Sequence, residues 1–282
     1  MTNEMKGQTC VVTGASGGIG RETARALASR GARVVLVCRD RAKGEATRAE
    51  LGAGGGEVDL ELCDLSSQAS IRELAGRLER AHARIDVLVN NAGLIIPKRT
   101  TTADGLEATF ALNHLGYFLL TTRLLDLLRA SAPARIVNVS SEAHRRAALD
   151  FDDLQSERSY GAVDAYCRSK LANVYFTYEL AERLRGSGVT ANCLHPGVVA
   201  SGFGRHEPGL LRVLATVARP FLIDEAKGAK TSVYLASSPE VEGVTGKYFV
   251  REREKRSSPA SYDVGARKRL WEASEALTAP KG

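Results

Sequence analysis

The chain has 282 residues, 44% of them hydrophobic, and carries a net charge of +6 from 39 basic and 33 acidic side chains, enough for one substantial core. The basic excess is spread along the whole length, its one dense run (Arg251 to Arg256) is interrupted by Glu252 and Glu254, and no nucleic-acid-binding motif accompanies it, so that run reads as a solvated loop and nucleic acid is not an expected partner. No uncharged apolar stretch of ~18 residues occurs and no charged-then-apolar leader precedes Val11, so neither a transmembrane anchor nor a secretory signal is expected, and a cytoplasmic location is.

In chain order, Thr9 to Val12 reads as a short buried strand running into Thr13-Gly-Ala-Ser-Gly-Gly-Ile-Gly20, followed by a helix with an Ala/Leu face from Arg21 to Ser29. Strand, glycine turn and helix form a phosphate-binding unit: glycines let the backbone approach a pyrophosphate, and the helix presents unpaired N–H groups to it. Gly14, Ser16, Gly18, Ile19 and Gly20 are therefore candidate cofactor contacts. A second strand from Arg33 to Cys38 completes a βαβ unit. Further strands are expected at Val58 to Leu62, after a loop at Gly52 to Gly56, and at Ile85 to Asn90, Arg135 to Ser140, Thr190 to Leu194 and Gly246 to Val250. Alternation of seven such strands with helices implies a single-domain α/β fold.

Two long helices stand out, Ala103 to Leu128 and Val163 to Arg185. The first carries Asn113 among Phe110, Leu112, Leu115 and Phe118, where a polar amide needs solvent or a specific partner. The second carries Tyr166 and Lys170, one helical turn apart, so a phenol stacks beside an ammonium. Lowering a phenol pKa of ~10 by ~3 units requires roughly 4 kcal/mol of preference for the phenolate, which a buried cation can supply. Such a pair arises by chance too readily to carry weight alone. The five cysteines (Cys10, Cys38, Cys63, Cys167, Cys193) are odd in number and irregularly spaced, as reduced thiols are, and neither they nor the five histidines show paired metal-ligand spacing, so no metal site is expected.

Taken together, Thr13 to Gly20, Asn90-Asn-Ala-Gly93, Asn113, Ser140-Ser141, Tyr166-x-x-x-Lys170 and His195-Pro-Gly197 resemble the short-chain dehydrogenase/reductases in order and spacing, over nearly the whole chain. The glycine run fits the spacing of both the single-domain and the longer epimerase-like branch; chain length and Asn90 to Gly93 favour the former. The resemblance implies a doubly wound Rossmann fold with a seven-stranded parallel sheet. Within the family, Val37-Cys-Arg-Asp40, Asn113-His-Leu-Gly116, the long step from Ser141 through Phe151-Asp-Asp-Leu-Gln155 to Tyr166, and the tail from Tyr262 to Ser274 resemble the retinol-dehydrogenase-like group and its bacterial relatives. Vertebrate members of that group typically begin with a membrane anchor, which has no counterpart here, so neither a membrane location nor retinal itself is carried over.

The resemblance implies roles. Tyr166 would be the general acid and base, Lys170 would lower its pKa and hold the nicotinamide ribose, and Ser141, with Ser140 as the alternative, would bind the substrate oxygen. Asn113 would bind, through a distorted helix backbone, a water linking Lys170 to solvent. Asp64 and Leu65 would hold the adenine, Asn91, Ala92 and Gly93 would line the ribose region, and Pro196, Gly197 and Val199 would sit by the nicotinamide. Arg39, at the end of the second strand where an acidic residue would select NAD, points to NADP, with Asp40 beside it working the other way. The segment 200–224, glycines followed by Leu210, Leu211, Leu214, Val217 and Phe221 on one helical face, resembles a substrate lid; packing on the body and a membrane-surface helix are the alternatives. The implied activity is NADP-dependent interconversion of a hydrophobic alcohol with its aldehyde or ketone. A non-catalytic dinucleotide sensor or scaffold is the competing reading, and a homodimer through the two long helices is expected from the family.

Overall fold

Valine and leucine alternate between two buried layers along the central strands of the computed structural model, which describes residues 4–197 and 224–280. In β1 (Thr9–Thr13) Val11 joins one apolar cluster and Val12 the other; in β2 (Arg33–Cys38) Val35 and Val37 take the first side, Val34 and Leu36 the second. Burial on both faces is the condition for a parallel sheet. Then come β3 (Val58–Leu62), β4 (Val87–Asn90), β5 (Ala134–Val139), β6 (Val189–His195), β7 (Tyr248–Val250) and β8 (Arg253–Lys255). Their order is β3-β2-β1-β4-β5-β6-β7-β8. Because β2 lies on one side of β1 and β4 on the other, the order reverses there, and a crevice opens at the carboxyl ends of these strands.

Helices α1 (Gly18–Ser29) and α2 (Arg41–Ala53) follow β1 and β2, and α3 (Gln68–Ala81) follows β3. Next come α4 (Ala108–Phe110), α5 (Gly116–Arg123), α6 (Leu125–Ala130), α7 (Ala162–Arg183), α8 (Glu225–Ser237) and α9 (Val264–Thr278). Leu27 of α1 and Leu235 of α8 share one layer; Leu74 of α3, Phe118 of α5 and Leu180 of α7 share the other. Over α5 and α7 lies α9, whose Trp271 packs on the rings of Phe118 and Phe176 at 4.9 and 5.9 Å, with the Arg183 guanidinium 4.1 Å from its own ring centre. The outer face of the two helices expected to meet a second subunit is thus covered by the chain's own last helix.

Two expectations are corrected. Among the described residues the sheet has eight strands: β8 pairs antiparallel with β7 across a two-residue turn, Arg251 and Glu252, both at positive φ (51° and 62°), so the run read as a loop is a hairpin strand. Such a turn is ordinarily announced by Asn-Gly or Asp-Gly, and Arg-Glu hides it. The long helix from Ala103 to Leu128 is broken. It begins only at α4, where the buried Glu107 carboxylate accepts from the Thr109 and Phe110 amides, widens into a π turn over Ala111–Leu115, and is interrupted again between α5 and α6. Val199 and the proposed lid lie outside the described residues, except for Asp224, whose carboxylate caps α8 by accepting from the Lys227 amide. Among the described residues no helix is long and apolar enough to cross a membrane.

Candidate active site

The crevice at the strand ends is floored by the glycine run. Gly14 and Gly18 have φ of 67° and 58°, a region that side chains disfavour. A Cβ on Gly20 would lie 2.4 Å from the Gly14 carbonyl oxygen, so this helix turn can pack on the loop only as glycine. No side chain caps the start of α1, which leaves its first N–H groups facing the crevice beside Ser16, Gly18 and Ile19. Thr13 and Asn91 hold the loop in place. The Asn91 and Ala92 amides donate to Thr13 Oγ1, at 2.8 and 3.1 Å, and Asn91 Nδ2 donates to the Thr13 carbonyl at 2.8 Å. Asn91 therefore lines the crevice while its amide group is spent on the loop.

At the far end, exposed Arg39 lines the crevice together with Lys43 on the first turn of α2. Asp40 beside them caps α2, its carboxylate accepting from the Lys43 amide at 3.1 Å, and also pairs with the Lys43 ammonium at 3.8 Å, which offsets part of the positive charge. Asp64 and Leu65 also line the crevice, with Asp64 Oδ1 accepting from the Ser66 amide and hydroxyl. Uncapped helical amides, glycines where a Cβ would clash and the nearby cations fit an anionic dinucleotide.

At the other end, Tyr166 and Lys170 rise from α7. Ser141 follows β5, and its hydroxyl accepts from the Ala143 amide at 3.2 Å and is hydrogen-bonded to Tyr166. Ser140 turns the opposite way and donates to the Lys170 backbone carbonyl at 2.8 Å. The structure thus separates the two serines that the sequence left as alternatives. Lys170 Nζ donates to the Val139 carbonyl at 3.1 Å and lies 5.5 Å from the Tyr166 ring centre. Gly93 lets it in, since a Cβ there would lie 3.3 Å from Nζ.

Burial dominates the electrostatics. It pushes the Tyr166 phenol up to about 12, against the pull of the Ser141 hydrogen bond, and brings Lys170 down to about 7. Ser141 is thus one group that pulls the tyrosine pKa back down. Asn113 is fully buried and grips the backbone of Leu94 in both directions: Oδ1 accepts from the amide and Nδ2 donates to the carbonyl, each at 2.9 Å. Its own carbonyl, at the centre of the π turn, accepts from Asn173 Nδ2 at 2.9 Å. The distorted backbone expected at Asn113 is present. Pro196 closes the crevice and Gly197 follows at φ 97°.

A family model described as short chain dehydrogenase matches residues 8–208. The chain belongs to the short-chain dehydrogenase family. It is thereby an oxidoreductase of CH–OH and C=O groups. Among its relatives, this short-chain dehydrogenase is 44% identical over 291 residues to retinol dehydrogenase 14 of Homo sapiens, covering 97% of this chain and 87% of the relative. It is 45% identical over 273 residues to retinol dehydrogenase 12 of Homo sapiens, covering 96% and 86%. Among solved structures, an uncharacterised protein of Mycobacterium paratuberculosis superposes with a TM-score of 0.80 at 34% identity, covering 98% of this chain and 95% of the other. The RhlG/NADP active-site complex of Pseudomonas aeruginosa gives 0.71 at 29%, covering 93% and 99%.

Four residues of this short-chain dehydrogenase were not singled out from sequence. Lys43 could have been found as a basic residue one turn beyond Arg39. Asn173 lies three positions after Lys170 on the same helix, so spacing alone would place it nearby. His114 and His144 gave no such signal, because their partners, Ser274 and Ser258, are remote in sequence.

Proposed function

We propose that this short-chain dehydrogenase uses NADP to interconvert a hydrophobic alcohol and its aldehyde or ketone, with Tyr166 as general acid and base. The observation that carries this reading is the Ser141–Tyr166 hydrogen bond at the end of the dinucleotide crevice, with Lys170 buried behind it. A carbonyl oxygen seated between these hydroxyls receives a hydrogen bond from Ser141 and a proton from Tyr166, which burial keeps as a phenol. In the reverse direction Tyr166 takes the alcohol proton, and charge on Lys170 favours the phenolate. The dinucleotide, when bound, supplies the hydride exchange. Arg39 and Lys43 would hold its 2′-phosphate, the α1 amides its pyrophosphate, and Lys170 the nicotinamide-side ribose.

Three observations support the apolar substrate: the retinol dehydrogenase relatives, the exposed Leu94 at the mouth, 45% accessible, and Val163, 52% accessible, one turn before Tyr166. NADP is supported by Arg39 and Lys43, which line the crevice. A cytoplasmic location belongs to the same reading; a homodimer through α5 and α7 would require α9 to move away. The test follows NADPH and NADH absorbance with aliphatic aldehydes, retinal, aromatic ketones and steroids, beside Tyr166→Phe. Turnover with NADPH that is lost in the variant is expected. No turnover of any compound, or an active variant, would leave the dinucleotide sensor as the better account.

A further inference from the structure

Asn173 is fully buried one turn beyond Lys170, and each end of its amide has a distinct partner. Nδ2 donates to the Asn113 carbonyl at 2.9 Å and reaches the Val139 carbonyl at 3.5 Å, the same carbonyl that accepts from Lys170 Nζ. The amide oxygen must then face His114, whose Nδ1 lies 3.3 Å away. An amide oxygen only accepts, so Nδ1 carries the proton and Nε2 is left as an acceptor. Nε2 meets the Ser274 hydroxyl of α9 at 2.9 Å, where it competes for the single hydroxyl proton with the Leu270 carbonyl at 2.7 Å. Phe110, Phe118 and Phe176 surround the imidazole, with ring centres 5.0 to 6.4 Å away, and this apolar setting keeps it neutral. All four side chains (Asn113, His114, Asn173 and Ser274) have no exposed surface.

A π turn opens a helix by one residue and leaves carbonyls poorly matched to amides, so its shape depends on what those carbonyls meet. Here the Asn113 carbonyl meets an amide whose orientation is set from the other side by a histidine and, beyond that, by the last helix of the chain. We propose that Asn173 and His114 are positioning residues for the reaction: with Ser274 they hold the Asn113 carbonyl and, through Val139, the Lys170 ammonium. This rests on the function proposed above. It makes α9 part of the catalytic apparatus, linked to Lys170 by hydrogen bonds as well as by packing.

The test uses Asn173→Leu, which keeps the volume and deletes the amide, His114→Leu, and His114→Asn, which returns an N–H donor near the Nδ1 position. Asn173→Leu and His114→Leu should each lower kcat about tenfold or more with KM for NADPH within about twofold, His114→Asn should recover most of the loss, and the double leucine variant should be no slower than Asn173→Leu. A readout independent of turnover is amide hydrogen exchange over residues 111–116, which should speed up in both leucine variants and return towards wild type in His114→Asn. If His114→Asn matches His114→Leu in both readouts, or if neither leucine variant alters kcat or exchange, the relay is wrong. If wild-type protein turns over no substrate, the exchange experiment still decides the relay, and only the function falls.

Discussion

Lys170 Nζ is tied to the Val139 carbonyl at 3.1 Å and stands 5.5 Å from the centre of the Tyr166 ring. A single backbone bond is modest compensation for a fully buried ammonium, and burial takes its pKa to about 7. The folded value lies below the unfolded one, so this group's contribution to stability is complete only above ~10.4, declines as pH falls, and is lost below about 7. Lys170→Met should therefore stabilise the protein by about 3–5 kcal/mol at pH 6, less at pH 9, while abolishing activity. Urea unfolding at the two pH values checks this; equal effects at both would contradict the assigned burial cost.

The two serines after β5 should separate cleanly. Ser141 is hydrogen-bonded to Tyr166, whereas Ser140 is bonded to the α7 backbone. Ser141→Ala should lower kcat by roughly 10²-fold or more with little change in melting temperature. Ser140→Ala should cost about 1–2 kcal/mol of stability and leave kcat within a few-fold of wild type. Parallel kinetics and thermal melts would show a reversed assignment at once.

Arg39 and Lys43 both line the far end of the crevice, and Asp40 beside them caps α2 and pairs with Lys43. Each charge-assisted contact to a phosphate contributes about 1.5–3 kcal/mol. Arg39→Ala and Lys43→Ala should thus weaken NADPH binding by about 10- to 100-fold each and NADH binding only slightly. Fluorescence titration with both dinucleotides decides it, and equal losses would remove the case for NADP.

Trp271 fixes α9 over α5 and α7 through Phe118, Phe176 and Arg183. Trp271→Ala should cost about 3–5 kcal/mol. With that face covered, wild-type protein should sediment as a monomer at micromolar concentration. A stable wild-type dimer would place the subunit contact elsewhere or require α9 to swing out.

Much of this architecture is legible in local pattern. Strand, glycine turn and helix from Thr9 to Ser29, the buried strands and the Tyr166–Lys170 spacing all express relations between near neighbours in the chain. The features the sequence concealed depend on distant partners or on unusual backbone. Local pattern reads as helix through Asn113, so the π turn there is expected only through the family resemblance; Arg251-Glu252 is an atypical pair for a tight hairpin, and the choice between Ser140 and Ser141 depends on where α7 lies. Cys38 and Asp40 were visible at the end of β2, but the capping of α2 by Asp40 and its pairing with Lys43 needed the geometry of α2.

The short final strand has a consequence beyond the crevice. A sheet margin left bare offers a row of unpaired amides and carbonyls to any passing strand, the route by which native proteins stick to one another. In this molecule one margin is β8, whose three side chains, Arg253, Glu254 and Lys255, are all exposed, and the other is β3, which carries Asp59 and Glu61. An incoming segment would have to pack its own side chains among these charges at either border. The mixed-charge run therefore protects a large, valine-rich sheet against aggregation, a job done at the edge of the fold by residues that take no part in its chemistry.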